Sequence, residues 1–121
     1  MEATNLVVLI GSSQPDRLRV FYRDILGLEP KDDFAPGAFA IPPGVLPCLL
    51  IEQHDEVAKV AKEPQRMLLS FFVHSVAQEQ ERLISHGVPF IRTAYEEPGV
   101  GTFATFADSD GNYCQLVELA T

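Results

Sequence analysis

Apolar and polar positions along this chain follow an order that occurs twice. The first copy begins with an apolar run at residues 6–10, which is typical of a short strand. Ser13 follows as a candidate helix N-cap, with Asp16 three residues later. Gly27 is placed to end the helix in a left-handed conformation. Between them, apolar residues recur at the i, i+3, i+4, i+7 spacing of one helix face: Leu18, Phe21, Tyr22 and Ile25.

The second copy repeats the strand, the cap, the helix and the final glycine. The run at residues 67–73 predicts a strand, and Ser75 with Gln78 has the S-x-x-Q pattern of a capping box. The helix that follows carries three apolar residues and then a terminal glycine: Val76, Leu83, Ile84 and Gly87.

Each helix is followed by extended stretches that Gly and Pro divide, at residues 29–53 and 88–120. The final strands align as 47–53 over 113–119, which pairs Cys48 with Cys114, Leu50 with Leu116 and Glu52 with Glu118. This pattern predicts one domain with an internal duplication of a βαβββ unit. Its modules are residues 5–53 and 66–120, joined by a charged connector at 54–65.

The predicted fold class is α+β, with the two βαβββ modules forming a curved mixed sheet around a concave cleft. One helix covers one face of each module's sheet, so the other face is left to line the cleft. A cleft of this kind strips water from a ligand on several sides.

The last strand begins after an Asp110-Gly111 dipeptide, which predicts a type I′ hairpin turn. Alternation along residues 113–119 places Gln115 on one face with Tyr113 and Val117. A polar residue on that face is a ligand to a metal, a substrate contact, or a solvated residue near a sheet edge.

Composition narrows the function. The chain has 121 residues, 46% of them hydrophobic, and a formal net charge of −8, which indicates a globular domain without the basic surface of a nucleic-acid binder. The same charge disfavours binding to an anionic membrane. The apolar run at 6–10 is too short for a signal sequence, so we predict a cytoplasmic protein. Cys48 and Cys114 lie in apolar runs and are predicted to be reduced, buried thiols.

Two segments, FYRDILGLEP (21–30) and FADSDGNYCQLVEL (106–119), together with the paired βαβββ pattern, resemble the vicinal oxygen chelate superfamily. That superfamily groups glyoxalase I, bleomycin-resistance proteins and extradiol dioxygenases. The resemblance covers almost the whole chain and implies the fold described above. Its members include lyases, dioxygenases, isomerases, thiol transferases and binding proteins, so it implies no single activity.

The resemblance also implies where a divalent metal would lie in many enzymes of the superfamily. The corresponding positions in this chain are Val7, Leu49, Leu68 and Gln115. Three are aliphatic and the fourth is a neutral amide, and one amide does not hold a divalent ion against water. A register shifted by one residue gives Leu6, Leu50, Leu69 and Leu116, which also contains no ligand. We therefore predict no metal site and no cofactor.

The predicted cleft is mostly apolar, with Ser70 and Gln115 as its fixed polar groups. Phe34 and Phe39, like Arg92 and Tyr95, are placed to reach over its mouth. The predicted ligand-binding residues are Gln115, Ser70, Phe72, Arg92, Tyr95, Val7, Leu49 and Leu68. For Ser70, a small residue in a tightly packed strand is an open alternative, and Gln115 and Arg92 also fit solvated surface positions.

Three functions remain open at this point. The first is a metal-free binding protein of the bleomycin-resistance type, which takes a small hydrophobic or aromatic ligand and pairs with a second copy as a homodimer. The second is a lyase or dioxygenase that uses Ni, Zn, Fe or Mn, with Gln115 as one ligand and His74 or Glu118 among the others. The third is an accessory module without a ligand. Whether any reaction is catalysed is left undecided.

Overall fold

The computed structural model describes residues 1–3, 5–41 and 46–121. Contacts within it form two compact units, Met1–Lys59 and Val60–Thr121. The division between Lys59 and Val60 falls inside the segment that the sequence marks as a connector. In the described ranges, no helix is both long and apolar enough to cross a membrane.

The first unit is a mixed sheet with one helical segment on it. Its elements are strand β1 (Val8–Ser12), helix α1 (Pro15–Val20), a π-helical turn (Phe21–Ile25), and strands β2 (Glu29–Pro30), β3 (Ala38–Ala40) and β4 (Leu49–Gln53). The strand order is β1-β4-β3-β2, with β1 parallel to β4 and the other pairs antiparallel. Residues 42–45 of the predicted extended stretch 29–53 lie outside the described residues.

The second unit repeats this arrangement. A 3-10 turn (Pro64–Arg66) precedes strand β5 (Leu69–Phe72), helix α2 (Val76–Ser85), and strands β6 (Phe90–Glu97), β7 (Gly101–Ala107) and β8 (Tyr113–Leu119). The order β5-β8-β7-β6 matches that of the first sheet, and β5 is parallel to β8. The structure thus confirms the predicted α+β class and the duplicated βαβββ unit.

Helix α1 begins later than the sequence predicts. Gln14 is its N-cap residue and Pro15 its first helical residue, so the predicted cap at Ser13 is wrong. Proline fixes the first helical position because it lacks the N–H that a cap would satisfy. The preceding Ser12 hydroxyl instead accepts the Gln14 N–H at 2.9 Å. Gly27, at φ +77°, follows the π-helical turn as predicted.

Helix α2 has the predicted cap and one additional partner. The Ser75 hydroxyl accepts the Gln78 N–H at 3.2 Å, and Gly87 follows the helix at φ +79°. The Glu118 carboxylate accepts the Val76 N–H at 2.9 Å. Glu118 is therefore a second N-terminal acceptor for α2.

Each unit has a core between its helix and one face of its sheet. In the first unit the ring of Tyr22 lies 6.4 Å from that of Phe39, centroid to centroid, and both side chains are buried. In the second unit Phe106 packs against Phe90 at 5.7 Å, and Cys114 is fully buried. Both cysteines are free thiols as predicted, although Cys48 is only half-buried.

The loop between β7 and β8 is not the predicted type I′ turn. That turn needs a positive φ at both central residues. Gly111 has a φ of +82°, but every described residue with a positive φ is a glycine, so Asp110 does not have one. The loop spans residues 108–112, and Asp108 organises it. One carboxylate oxygen of Asp108 accepts the N–H groups of Asp110 and Asn112, each at 2.9 Å, and the other accepts the Asn112 side-chain amide.

Candidate functional site

The sheet face of the second unit that lies opposite α2 carries two rows of side chains, each with one residue from every strand. Ladder partners on neighbouring strands project to the same face, so the pairing of β5, β8, β7 and β6 defines the rows. The polar row is Ser70, Gln115, Thr105 and Arg92. The apolar row is Phe72, Val117, Phe103 and Tyr95.

Two irregularities in β6 bring Arg92 and Tyr95 onto this face together. Arg92 pairs with Thr105 and Tyr95 pairs with Phe103, so three steps along β6 match two along β7. In a regular strand, residues three apart project to opposite faces. The extra residue is a β-bulge, whose unpaired backbone groups need other partners. The N–H of Ala94, inside the bulge, donates to Gln80 Oε1 of α2 at 2.6 Å.

Arg92, Tyr95 and Phe103 form a stack at the β6 end of the rows. The guanidinium carbon of Arg92 lies 3.4 Å from the centre of the Tyr95 ring. The Tyr95 ring lies 5.8 Å from the Phe103 ring, tilted by 31°. A cation over an exposed aromatic ring is worth about 0.5–1 kcal/mol, and Arg92 is thereby held flat against the sheet.

Ser70 and Gln115 are joined at the other end of the polar row. The Ser70 hydroxyl donates to Gln115 Oε1 at 3.1 Å, across the parallel pair of β5 and β8. This bond uses one of the two lone pairs of the amide oxygen, and the amide N–H groups remain as donors.

An open depression of about 240 Å³ lies beside the apolar row. Phe72, Val117 and Leu119 line it, together with Val73 and the exposed His74 that follow β5. Phe72 is 67% exposed, so a large aromatic surface is available to a ligand here.

The structure brings together five of the predicted ligand-binding residues on this face: Ser70, Phe72, Arg92, Tyr95 and Gln115. Leu68 precedes β5 and is part-exposed, one row away from them. Val7 precedes β1 in the first unit and is also part-exposed.

Leu49 does not lie where the sequence predicted it. It pairs with Val8 and Phe39, and it is 3% exposed on the helix-covered face of the first sheet. The residue that corresponds to Gln115 is Leu50, which pairs with the exposed Leu9. Aligning the two final strands through their cysteines was therefore wrong by one residue, and a shift of one residue moves every side chain to the other face. Ile51, two residues further along β4, is buried on the same face as Leu49.

Three other residues were expected at the cleft, and the structure places each of them. Phe39 was expected to reach over a cleft but is buried against Tyr22, whereas Phe34 is exposed in the loop before β3. Glu118 follows Val117 and points to α2, so it does not share a face with Gln115.

A sequence model of the Glyoxalase/Bleomycin resistance protein/Dioxygenase superfamily matches residues 6–116. The chain belongs to this superfamily. No match was found among curated protein sequences.

Solved structures of the superfamily fold resemble the chain over nearly its full length. A protein of unknown function from Agrobacterium tumefaciens is 20% identical, with a TM-score of 0.76 over 99% of this chain and 97% of that one. A fosfomycin resistance protein from Listeria monocytogenes is 16% identical, with a TM-score of 0.71 over 99% and 96%. A lactoylglutathione lyase from Agrobacterium tumefaciens is 19% identical, with a TM-score of 0.66 over 98% and 95%. At these identities the likeness concerns the fold.

The donor set on the open faces does not fit the metal that many enzymes of the superfamily hold. In the second unit the central pair on β5 and β8 offers one amide and one hydroxyl, and these two groups bond to each other. In the first unit the matching pair is Leu9 and Leu50. Among the described residues, no group of three or more His, Cys, Asp or Glu side chains is arranged to hold a metal ion. Divalent ions need several oxygen, nitrogen or sulfur donors at coordination distance, so no reaction step is assigned to a metal here.

The sequence missed three contributors to this face. Phe103 and Thr105 lie in an alternating β7 strand, and aligning that strand with β8 through the loop would have placed them. No sequence pattern points to Gln80. Its role depends on the bulge in β6, and the local sequence of β6 does not predict that bulge.

Proposed function

We propose that this protein binds a small hydrophobic or aromatic molecule on the open face of its second unit. The observation that carries the proposal is the pair of adjacent rows, one aromatic and aliphatic, the other polar, built from all four strands. An apolar surface with a few polar groups at fixed positions favours ligands that bury a ring and orient it by hydrogen bonds.

Binding without a metal is part of this proposal. Its support is the chemistry of the side chains at the relevant positions, where leucines stand beside one serine and one glutamine. The alternative is a metal-dependent lyase or dioxygenase, and the name of one structural relative, lactoylglutathione lyase, is that of an enzyme. The name of another, a fosfomycin resistance protein, gives a role in resistance to a small molecule.

The proposed partner besides the ligand is a second copy of this chain, as members of the superfamily often form dimers. Sedimentation equilibrium on the purified protein tests this, and a monomer at all concentrations would contradict it. A cytoplasmic location stays a prediction from the sequence.

The ligand proposal is tested with N-phenyl-1-naphthylamine, a neutral probe that fluoresces when it leaves water. We expect saturable binding to the wild-type protein. Phe72→Asp should weaken it about tenfold or more, because a charge replaces an apolar contact surface. Phe72 is an exposed residue, so this substitution should not disturb the core.

The matched control is Ile84→Asp, which places the same charge on α2 at a residue that is 51% exposed. It should bind the probe like the wild type. An equal loss in both variants would place the ligand elsewhere. No saturable signal in the wild type would sink the proposal and favour an accessory module without a ligand.

A further inference from the structure

The polar row of the second unit presents mainly hydrogen-bond donors. Gln115 Oε1 accepts the Ser70 hydroxyl, and the two N–H groups of the Gln115 amide are donors with no recorded partner among the described residues. Arg92 has five N–H donors and no acceptor. Within the described part of the chain its recorded contact is the Tyr95 ring, with no hydrogen bond or ion pair. A ligand on this row is therefore met by donors at both ends.

The charge on this face also differs from that of the whole chain. The formal net charge is −8, yet the two rows contain one cation, Arg92, and no carboxylate. The nearest acidic residue on the same face of β6 is Glu97, which pairs with Gly101 beyond the apolar row. At about 3.3 Å per residue, Glu97 lies about 7 Å along the strand direction from Tyr95, the residue whose ring the Arg92 guanidinium covers. Among the described residues no ion pair joins Glu97 to Arg92, so Arg92 is the charge that the two rows present.

The guanidinium is held in place before any ligand arrives. The Tyr95 ring lies under it, and the β6 bulge that puts both residues on one face is tied to α2 through the Ala94–Gln80 hydrogen bond. A planar guanidinium that already favours one position loses less side-chain entropy when it pairs with a carboxylate, and it can form two parallel hydrogen bonds.

We propose that this face selects a planar aromatic molecule that carries a carboxylate, with the ring on the apolar row and the carboxylate on Arg92 and the Gln115 amide. The inference rests on the proposed function and adds the charge and chemical class of the ligand. It reverses the preference for a cationic ligand that the acidic composition alone would indicate.

Three probes of matched shape test it: 2-naphthoate, its neutral carboxamide 2-naphthamide, and the cationic 2-naphthylmethylamine. Calorimetric titration of the wild-type protein should give about tenfold tighter binding of naphthoate than of naphthamide, since hydrogen bonds between ions are about twice as strong as neutral ones. The cation should bind most weakly. Arg92→Gln should bring naphthoate and naphthamide to within twofold of each other.

Arg66→Gln is the matched control, since Arg66 is an exposed arginine of the same unit that pairs with Glu63 away from this face. It should keep the carboxylate preference. If naphthamide or the cation binds the wild type as tightly as naphthoate, the ligand class is wrong while the binding function stands. If Arg92→Gln still binds naphthoate more tightly than naphthamide, Arg92 does not bind the carboxylate. If none of the three binds, the proposed function itself fails.

Discussion

At the residue scale, Asp108 shows how one side chain fixes the entry to the strand that carries Gln115. Its carboxylate is buried and accepts three hydrogen bonds from Asp110 and Asn112. Each of these bonds satisfies a donor that would otherwise have no partner in the five-residue loop. The loop sets where β8 begins, and hence which of its residues face the polar row.

We expect Asp108→Ala to lower the free energy of unfolding by about 2–4 kcal/mol, because buried N–H groups lose a charged acceptor. Asp108→Asn keeps one acceptor oxygen and should lose less. Urea denaturation measures both, with Asp32→Ala as an exposed aspartate control. A value for Asp108→Ala within about 0.5 kcal/mol of wild type would show that the loop closes without this side chain.

At the element scale, the bulged strand β6 and helix α2 act together. Gln80 supplies the acceptor for the Ala94 N–H, and the bulge keeps Arg92 over Tyr95. Gln80 is thus a positioning residue for the stack, without being part of either row.

Gln80→Leu removes the acceptor, whereas Gln80→Glu retains one. In Gln80→Leu we expect faster hydrogen exchange of the Ala94 amide and a smaller ring-current shift on the Arg92 side-chain protons in NMR spectra. Gln80→Glu should restore the exchange protection. If the ring-current shift of Arg92 is unchanged in Gln80→Leu, the contact between Arg92 and Tyr95 does not depend on the hydrogen bond from Ala94 to α2.

The same scale shows what the sequence could and could not predict. Periodicity was sufficient for both helices and for the open face of β8, because Gln115 lies among residues that alternate clearly between polar and apolar. It failed for β4, where Leu49, Leu50 and Ile51 are all apolar and carry no alternation to set the face. Burial of Leu49 follows from its pairing with Phe39, a contact that is distant in sequence. The bulge in β6 was also beyond the sequence, since it is decided by pairing with β7 and by Gln80.

At the scale of the whole molecule, the two units share an architecture but differ in the chemistry of their open faces. The central ladder position is Leu9 with Leu50 in the first unit and Ser70 with Gln115 in the second. At this ladder position the polar side chains are therefore confined to the second unit. The superfamily's fold could be predicted from the sequence. The chemical difference between the two open faces became clear only from the pairing of the strands.

Elemental analysis of protein purified without chelator and then dialysed should find transition metals well below one per chain. The double variant Ser70→His with Gln115→His provides the positive control, because paired positions on β5 and β8 would present two imidazoles side by side. Zn²⁺ should raise its melting temperature but leave that of the wild type unchanged. Stoichiometric metal in the dialysed wild type would instead favour the lyase or dioxygenase alternative.

The irregular pairing of β6 has a second consequence, for the chain's behaviour at high concentration. β6 is the outermost strand of its sheet, and between Phe90 and Tyr95 it holds two residues more than β7 uses to span the same distance. The two bulges interrupt the regular spacing of backbone N–H and C=O groups along β6. A strand from another molecule therefore finds no continuous ladder there, which disfavours fibril growth from this edge. The distortion that presents Arg92 to a ligand thus also makes this edge of the sheet a poor template for a neighbouring strand.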